Sequence, residues 1–216
     1  PERRVWVFGG DGAMYDIGFQ SLSRMVASGA DIKVLVLDTQ VYSNTGGQAS
    51  TGTYTAQDSA LAPFGKEHHG KEETRKELAL LAIAHRGAFV LQSSQAAVSH
   101  LLGGVLRGLQ VRRPSLFLLH CPCPPEHGLA DEGAIRAARL ALESRAFPLL
   151  RYDPDAGSAL ADCLSLDGNP APDLPVLDVD GNTIPLSSLW KKRTLVLAFT
   201  RHFGCPQCKE MMDELH

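Results

Sequence analysis

The chain has 216 residues, 44% of them hydrophobic and 21% charged, and a formal net charge of −3. That is room for one large domain or a medium one with a small companion, in an ordinary globular composition. No basic stripe offers itself to nucleic acid, no apolar run approaches the roughly 20 residues that span a bilayer, and no secretory signal opens the chain. The expectation is a cytoplasmic protein with neither nucleic-acid nor membrane partners. Five cysteines, Cys121, Cys123, Cys163, Cys205 and Cys208, are odd in number and too few for a disulfide scaffold, so reduced thiols are expected. With Pro1 at its head and His216 inside a starting helix, the chain reads as a piece of a longer polypeptide.

The apolar run Val5 to Phe8 predicts a strand, and it leads straight into Gly9-Gly10-Asp11-Gly12. Met14, Ile17, Leu22, Met25 and Val26 then recur at helical spacing, Gly29 supplies a stop, and a second strand is predicted over 33–37. Strand, helix and strand within about 30 residues make a βαβ unit, with parallel strands and a right-handed crossover. Ligands gather at the carboxyl ends of such strands. There the sequence places Gly-Asp-Gly and, behind the second strand, "DTQVYSNTGGQ" at 38–48.

Residues 42–70 are rich in Gly, Ser, Thr and Gln, too long a stretch to be an idle loop in a compact domain. The run "GKEHHGKEETRKE" reads as a solvated face entering a helix over 72–85, followed by a strand at 88–91. Val98, Leu101, Leu102, Val105, Leu106 and Leu109 mark a helix behind Ser93 and Ser94 as candidate caps. A strand at 115–119 runs into "HCPCPPEHG", and a helix over 131–144 and a strand at 149–152 complete the alternation. The fold class is therefore α/β, a doubly wound and mostly parallel sheet over 1–168. Composition shifts at "DGNPAPDLP", giving a linker at 169–175. Beyond it, 176–179 and 184–186 pattern as a hairpin about Asp180-Gly181, and 194–199 as an apolar strand.

A lone Gly-Asp-Gly is common turn chemistry, and a dinucleotide fingerprint fails because Tyr15 stands where its third glycine belongs. The pairing carries more: a carboxylate at one strand end, and an Asp-Thr-x-Val-Tyr-Ser-Asn-Thr-Gly-Gly run at the next. "GDGAMYDIGFQSLSRMVASGADIKVLVLDTQVYSNTGGQAS", with "FGKEHHGKEETRKELALLAIAHRGAFVLQSS" and "LALESRAFPLLRYDP", resembles the thiamine-diphosphate domain of pyruvate:ferredoxin (flavodoxin) oxidoreductases over roughly 4–154.

That resemblance implies a thiamine-diphosphate-binding fold in which Mg2+ is held by the Asp11 carboxylate, the Thr39 hydroxyl and the Val41 carbonyl. A hard divalent cation suits oxygen ligands and phosphate. Gly10 and Gly12 leave the backbone open to the phosphates, and Ala13 starts a helix whose first amides favour anions. Tyr42, Ser43 and Thr45 follow as cofactor contacts. Asn44 is placed near the reacting thiazolium carbon, to position or polarise the intermediate, against the plainer reading of a turn-tolerant Asn. By the same resemblance, a 2-oxoacid of pyruvate type is decarboxylated, coenzyme A takes the acyl group, and electrons leave through a [4Fe–4S] cluster to ferredoxin or flavodoxin. The full-length form would be a homodimer whose other domains supply the glutamate that activates the cofactor. Cys123 stands one residue out of register with the family's cluster cysteine, and Cys121 is the alternative; two buried structural thiols is the other reading. Zinc with His120 and His127 matches no established spacing, and His68, His69, His85 and His100 show no partner spacing either.

The tail, "DLPVLDVDGNTIPLSSLWKKRTLVLAFTRHFGCPQCKEMMDEL", resembles the opening of a peroxiredoxin-like, thioredoxin-fold domain. Cys205 would be the reactive thiol at a helix start, Cys208 its resolving partner, and Arg201 and His202 nearby positive charge. Roughly 45 residues are too few for a complete core of this kind, so the segment is expected to be incomplete. Two other functions fit the sequence: a thiol-redox protein acting through Cys205 and Cys208 with a degenerate first domain, and a non-oxidative thiamine-diphosphate decarboxylase.

Overall fold

The computed structural model describes residues 4–170, 175–177 and 181–185. The expected strand at 194–199 and the Cys205/Cys208 motif lie outside the described residues. The chain divides into two units, Pro1–Pro170 and Ala171–His216.

The first unit is built on a six-stranded sheet: β1 (Val5–Gly10), β2 (Ile32–Asp38), β3 (Phe89–Ser94), β4 (Ser115–His120), β5 (Leu150–Tyr152) and β6 (Leu164–Ser165), in the spatial order β1-β2-β4-β3-β5-β6. The first four strands run parallel, while β5 pairs antiparallel with β3, and β6 antiparallel with β5. Strand alternation sends Val34, Val36, Val90, Leu116 and Leu118 to one face, under α1 (Phe19–Ala27) and α2 (Leu78–Ala84). The opposite face carries Phe89, Leu91 and Phe117 under Leu101 and Val105 of α3 (Val98–Gln110). With α4 (Ala134–Glu143) and the short α5 (Leu160–Cys163), the element order is the expected α/β alternation. Lys33 is wholly buried yet satisfied: its ammonium donates to the Val111 and Arg113 carbonyls and to Ser115 Oγ, and pairs with Asp31.

Register puts the site together. Gly10 pairs with Leu37, so residue 11 emerges beside residue 38, and Asp38 lies opposite His120, which in turn faces Ser94. One edge of the sheet therefore carries the ends of β1, β2, β3 and β4.

Three expectations are corrected. The first helix is not continuous: a wide π-helical turn spans Gly12–Ile17, closed by Gly18 N–H donating to the Ala13 carbonyl at 2.7 Å, and α1 starts only at Phe19. The wider turn shifts the helical phase, which leaves Ile17 86% exposed rather than in the core. The helix predicted over 72–85 forms only at Leu78, because 71–77 is drawn across the sheet end: Lys71 Nζ donates to the Thr53 carbonyl, and Lys76 N–H to the Thr51 carbonyl. The "solvated" run thus buries Lys71 and most of Arg75. In α3 the buried stripe runs through Gly104 and Gly108, whereas Val98, Leu102 and Leu106 face outward. The glycines let the helix lie close, since a Cβ on Gly108 would stand 2.5 Å from Phe117 Cε1.

The loop between β2 and α2 is pinned at the base of its outer part. Ala56 N–H donates to the Lys71 carbonyl at 2.7 Å and Lys71 N–H to the Gln57 carbonyl at 3.2 Å, so 58–69 is a closed excursion, mostly exposed. In the second unit, β7 (Pro175–Leu177) pairs antiparallel with β8 (Thr183–Pro185), in the place of the expected hairpin. Among the described residues no helix is long and apolar enough to cross a membrane.

Candidate cofactor site

Asp11 follows the last residue of β1 and is 2% exposed. Its Oδ1 stands 3.0 Å from Thr39 Oγ1, which in turn stands 2.9 Å from the Val41 carbonyl oxygen. One hydroxyl proton cannot serve both acceptors, so the trio is short of positive charge. A divalent ion relieves that shortage, and the spacing suits it: adjacent oxygens of an octahedral Mg2+ shell at about 2.0–2.1 Å lie about 2.9 Å from each other. The three residues named for the metal are thus brought together, with two of their oxygen pairs at that spacing. Ser50 Oγ donates to Asp11 Oδ2 at 2.8 Å, and Ser43 Oγ donates to Thr39 Oγ1 at 2.8 Å. Burial raises the Asp11 pKa, against these hydroxyls, so the anion is held in a place that favours a cation partner.

The remaining predicted residues surround this trio. Gly10 ends β1 with room above it; the nearest atom to a Cβ there would be the Leu37 carbonyl oxygen at 3.9 Å. Gly12 is buried under Tyr42, whose ring would overlap any Cβ. Ala13 is exposed in the π-helical turn. Tyr42 OH donates to Asp16 Oδ2 at 2.7 Å, and burial with that carboxylate pushes its pKa up to about 12. Asn44 and Thr45 are exposed in a short 3-10 turn, Ser43–Thr45, with Thr45 Oγ1 donating to Gln48 Oε1. Thr51 ties the same loop to Asp16 through its hydroxyl and its N–H.

Sequence reasoning missed the supports behind the trio. Asp38 is fully buried, with Oδ2 accepting from Tyr15 OH at 2.6 Å and facing Arg75 Nη2 at 3.3 Å. Burial pushes the Asp38 carboxyl up to about 6, although Arg75 and the Tyr15 hydroxyl pull it down. For Arg75, burial opposes the charge, but Asp38 outweighs it, and the guanidinium lies over the rings of Tyr54 (4.7 Å) and Phe147 (5.2 Å). Between Thr39 and Val41, Gln40 takes a left-handed backbone with φ 69°. The one signal available was an aspartate closing a buried strand, which demands a partner.

Beside the trio a cavity of about 690 Å³ is lined by Gln40, Tyr54, His120, Glu126 and His127, among others. His120 stacks on Phe147 at 4.7 Å, and burial, followed by Arg75 and His127, pushes its pKa down to about 4. Cys123 N–H donates to His127 Nδ1 at 3.2 Å, and Cys121 and Cys123 are free thiols, half-buried. Burial raises the Cys121 thiol to about 11, the behaviour of a packed rather than a reactive sulfur. Among the described residues no three His, Cys, Asp or Glu side chains converge on a common metal. Two histidines left without a role have plain structural partners: His85 Nε2 meets Ser23 Oγ and His100 Nδ1 meets Ser93 Oγ.

Residues 1–117 match the family described as thiamine pyrophosphate enzyme, C-terminal TPP binding domain. The chain is 39% identical over 154 residues to pyruvate:ferredoxin oxidoreductase of Moorella thermoacetica, covering 71% of this chain and 13% of that protein. It is 32% identical over 150 residues to pyruvate synthase subunit PorB of Thermotoga maritima, covering 69% of this chain and 46% of that protein. A solved 2-oxoglutarate:ferredoxin oxidoreductase from Magnetococcus marinus, with 2-oxoglutarate, coenzyme A and succinyl-CoA bound, superposes with a TM-score of 0.49 at 18% identity, over 54% of this chain and 38% of that one, a likeness too slight to argue from. This chain therefore spans less than half the length of either of the two named sequence relatives.

Proposed function

This chain belongs to the thiamine pyrophosphate enzymes through their C-terminal TPP binding domain, and from that premise we propose that Asp11, Thr39 and Val41 hold Mg2+ and, through it, the diphosphate of the cofactor. The observation that carries the reading is the convergence of Asp11 Oδ1, Thr39 Oγ1 and the Val41 carbonyl oxygen at 3.0 and 2.9 Å on two neighbouring strand ends. Gly10 leaves open space for a phosphate to approach the backbone, and Gly12 with Ala13 begins the turn whose first amides lack helical partners. Tyr42, Ser43 and Thr45 line the same approach, and the exposed Asn44 carboxamide is free to orient a substrate carbonyl.

Bound thiamine diphosphate supplies an electron sink for decarboxylation of a 2-oxo acid; the protein supplies binding, orientation and charge. On the strength of the named sequence relatives we extend the proposal to a pyruvate-type 2-oxoacid oxidoreductase with ferredoxin as electron acceptor; coenzyme A as acyl acceptor, and flavodoxin in place of ferredoxin, rest on the resemblance of the sequence alone. Cys123, or Cys121, would be this chain's contribution to an iron–sulfur cluster otherwise held by the parent protein. The tail is proposed as a peroxiredoxin-like module acting through Cys205 and Cys208, on the sequence Phe-Gly-Cys-Pro-Gln-Cys alone.

Calorimetric titration of the chain with thiamine diphosphate and Mg2+ tests the site. Asp11→Asn should weaken binding about 10- to 150-fold, the equivalent of the ~1.5–3 kcal/mol that a charged hydrogen-bonding group contributes. The cofactor-free variant should be no less stable than the parent, since Asn removes a charge that burial disfavours. Equal affinity in the two proteins would defeat the assignment.

A further inference from the structure

The two oxygens that Thr39 and Val41 offer are set by the residue between them. Gln40 holds φ 69°, a left-handed conformation that is costly for any residue with a Cβ and persists only where surroundings enforce it. The surroundings can be named. Asp38 Oδ1 accepts from Gln40 N–H at 3.1 Å and from Gln40 Nε2 at 3.3 Å, and the Thr53 hydroxyl donates to the Gln40 carbonyl. Thr53 is itself fixed by Ser50 N–H, which donates to its Oγ1 at 2.9 Å.

Asp38 can act as this clamp only while its own buried carboxylate is balanced. Its other oxygen, Oδ2, takes Tyr15 OH at 2.6 Å and Arg75 Nη2 at 3.3 Å. Arg75 reaches it because 71–77 gives up the helix that its sequence favours. Lys76 N–H, bound to the Thr51 carbonyl at 2.8 Å, holds that segment against the sheet end. The rings of Tyr54 and Phe147 then fix the plane of the guanidinium, which is 7% exposed. A lysine would keep the charge but lose that stacking and the fork of donors.

We propose that Arg75 is a positioning residue for the cation site: it steadies Asp38, which holds the left-handed Gln40 turn that presents Thr39 Oγ1 and the Val41 carbonyl to the metal. The inference rests on the Mg2+ reading above and deepens it.

A double-mutant cycle on the full 216-residue chain tests it, reading the Mg2+ dissociation constant at saturating thiamine diphosphate by calorimetry. Arg75→Met should weaken Mg2+ binding about tenfold, equivalent to about 1.4 kcal/mol. Gln40→Gly adopts a positive φ without cost, so in that background the same Arg75→Met change should cost less than about twofold. Arg75→Lys should fall between the parent and Arg75→Met, and it carries the cycle if Arg75→Met loses its far-ultraviolet circular dichroism. Equal losses in the Gln40 and Gly backgrounds would mean that Arg75 merely stabilises the fold, and would overturn the proposal. Undiminished affinity in a folded Arg75→Met protein, with Asp11→Asn still weakening binding at least tenfold, would overturn it while leaving the cofactor reading intact. Should Asp11→Asn also bind normally, both fall.

Discussion

Gly10 and Gly12 flank the same carboxylate, yet they are glycines for different reasons, and alanine at each should separate stability from binding. A Cβ on Gly12 would overlap the Tyr42 ring, which is anchored through its hydroxyl to Asp16 at 2.7 Å. Overpacking of this kind costs about 1–3 kcal/mol. In a unit of this size, about 2–4 °C of melting temperature is lost per kcal/mol, so Gly12→Ala should melt roughly 2–12 °C lower even without cofactor. A Cβ on Gly10 meets nothing nearer than the Leu37 carbonyl oxygen at 3.9 Å. Replacing a strand glycine with alanine then gains about 0.5–1 kcal/mol, and the cofactor-free Gly10→Ala protein should be slightly more stable than the parent. Its thiamine-diphosphate affinity should nevertheless fall about 5- to 150-fold, because the same overpacking energy is now met only when the diphosphate arrives. Urea denaturation and calorimetry on both variants give the four numbers required. If Gly10→Ala binds as the parent does, the diphosphate does not approach the backbone there; if Gly12→Ala is as stable as the parent, Tyr42 does not close over that turn.

Three further substitutions probe the scaffold. His120 is buried and held neutral, with its pKa pushed from 6.5 to about 4. Its contribution to stability is complete above pH 6.5 and lost as pH falls through 4, a difference of about 3 kcal/mol at roughly 1.4 kcal/mol per unit. Asp38 works in the opposite sense: with its pKa raised from 3.8 to about 6, its contribution is present below 3.8 and lost as pH rises through 6. His120→Phe retains the stack on Phe147 and leaves Asp38 in place. The stability gap between variant and parent should therefore widen in the variant's favour by about 3 kcal/mol from pH 7 to pH 4, and a gap independent of pH would show that His120 titrates normally. In α3, a Cβ on Gly103 meets nothing within 4 Å, whereas one on Gly104 overlaps Leu91. Gly103→Ala should gain about 1 kcal/mol and Gly104→Ala should lose up to about 2 kcal/mol net of the same gain; an equal gain at both positions in urea denaturation would refute the close approach of helix to sheet.

The convergence of Asp11, Thr39 and Val41 was legible because it needs only local facts. Apolar runs announce β1 and β2, parallel neighbours bring their ends together, and Asp11, Thr39 and Val41 come directly behind those ends. Arg75 was not legible, since nothing in a charge run says which of its cations will be buried. Its place depends on the unmet charge of Asp38, a demand made from 37 residues away. Ile17 was misplaced for a subtler reason: its spacing suits a regular helix, but the turn that Gly18 permits is wider, and each added residue of turn rotates the side chains beyond it. Val98, Leu102 and Leu106 show the opposite failure, in which the apolar pattern was real but the glycines chose the contacting face. The Cys205/Cys208 motif was read from sequence only and lies outside the described residues.

The excursion over 58–69 leaves the body of the protein between two mated backbone segments, Ala56-Gln57 and Lys71. Its stem bears the tie to the 71–77 segment, Ala60 N–H reaches the Gly47 carbonyl at 3.0 Å, and the exposed Lys66-Glu67 tip lies beyond both. Because closing a loop costs only about 0.6 kcal/mol more for each doubling of length, that tip is the natural graft point for a reporter peptide or a fluorescent label. A dye carried there would watch the cofactor arrive from outside, with every oxygen around Asp11 still in its native place.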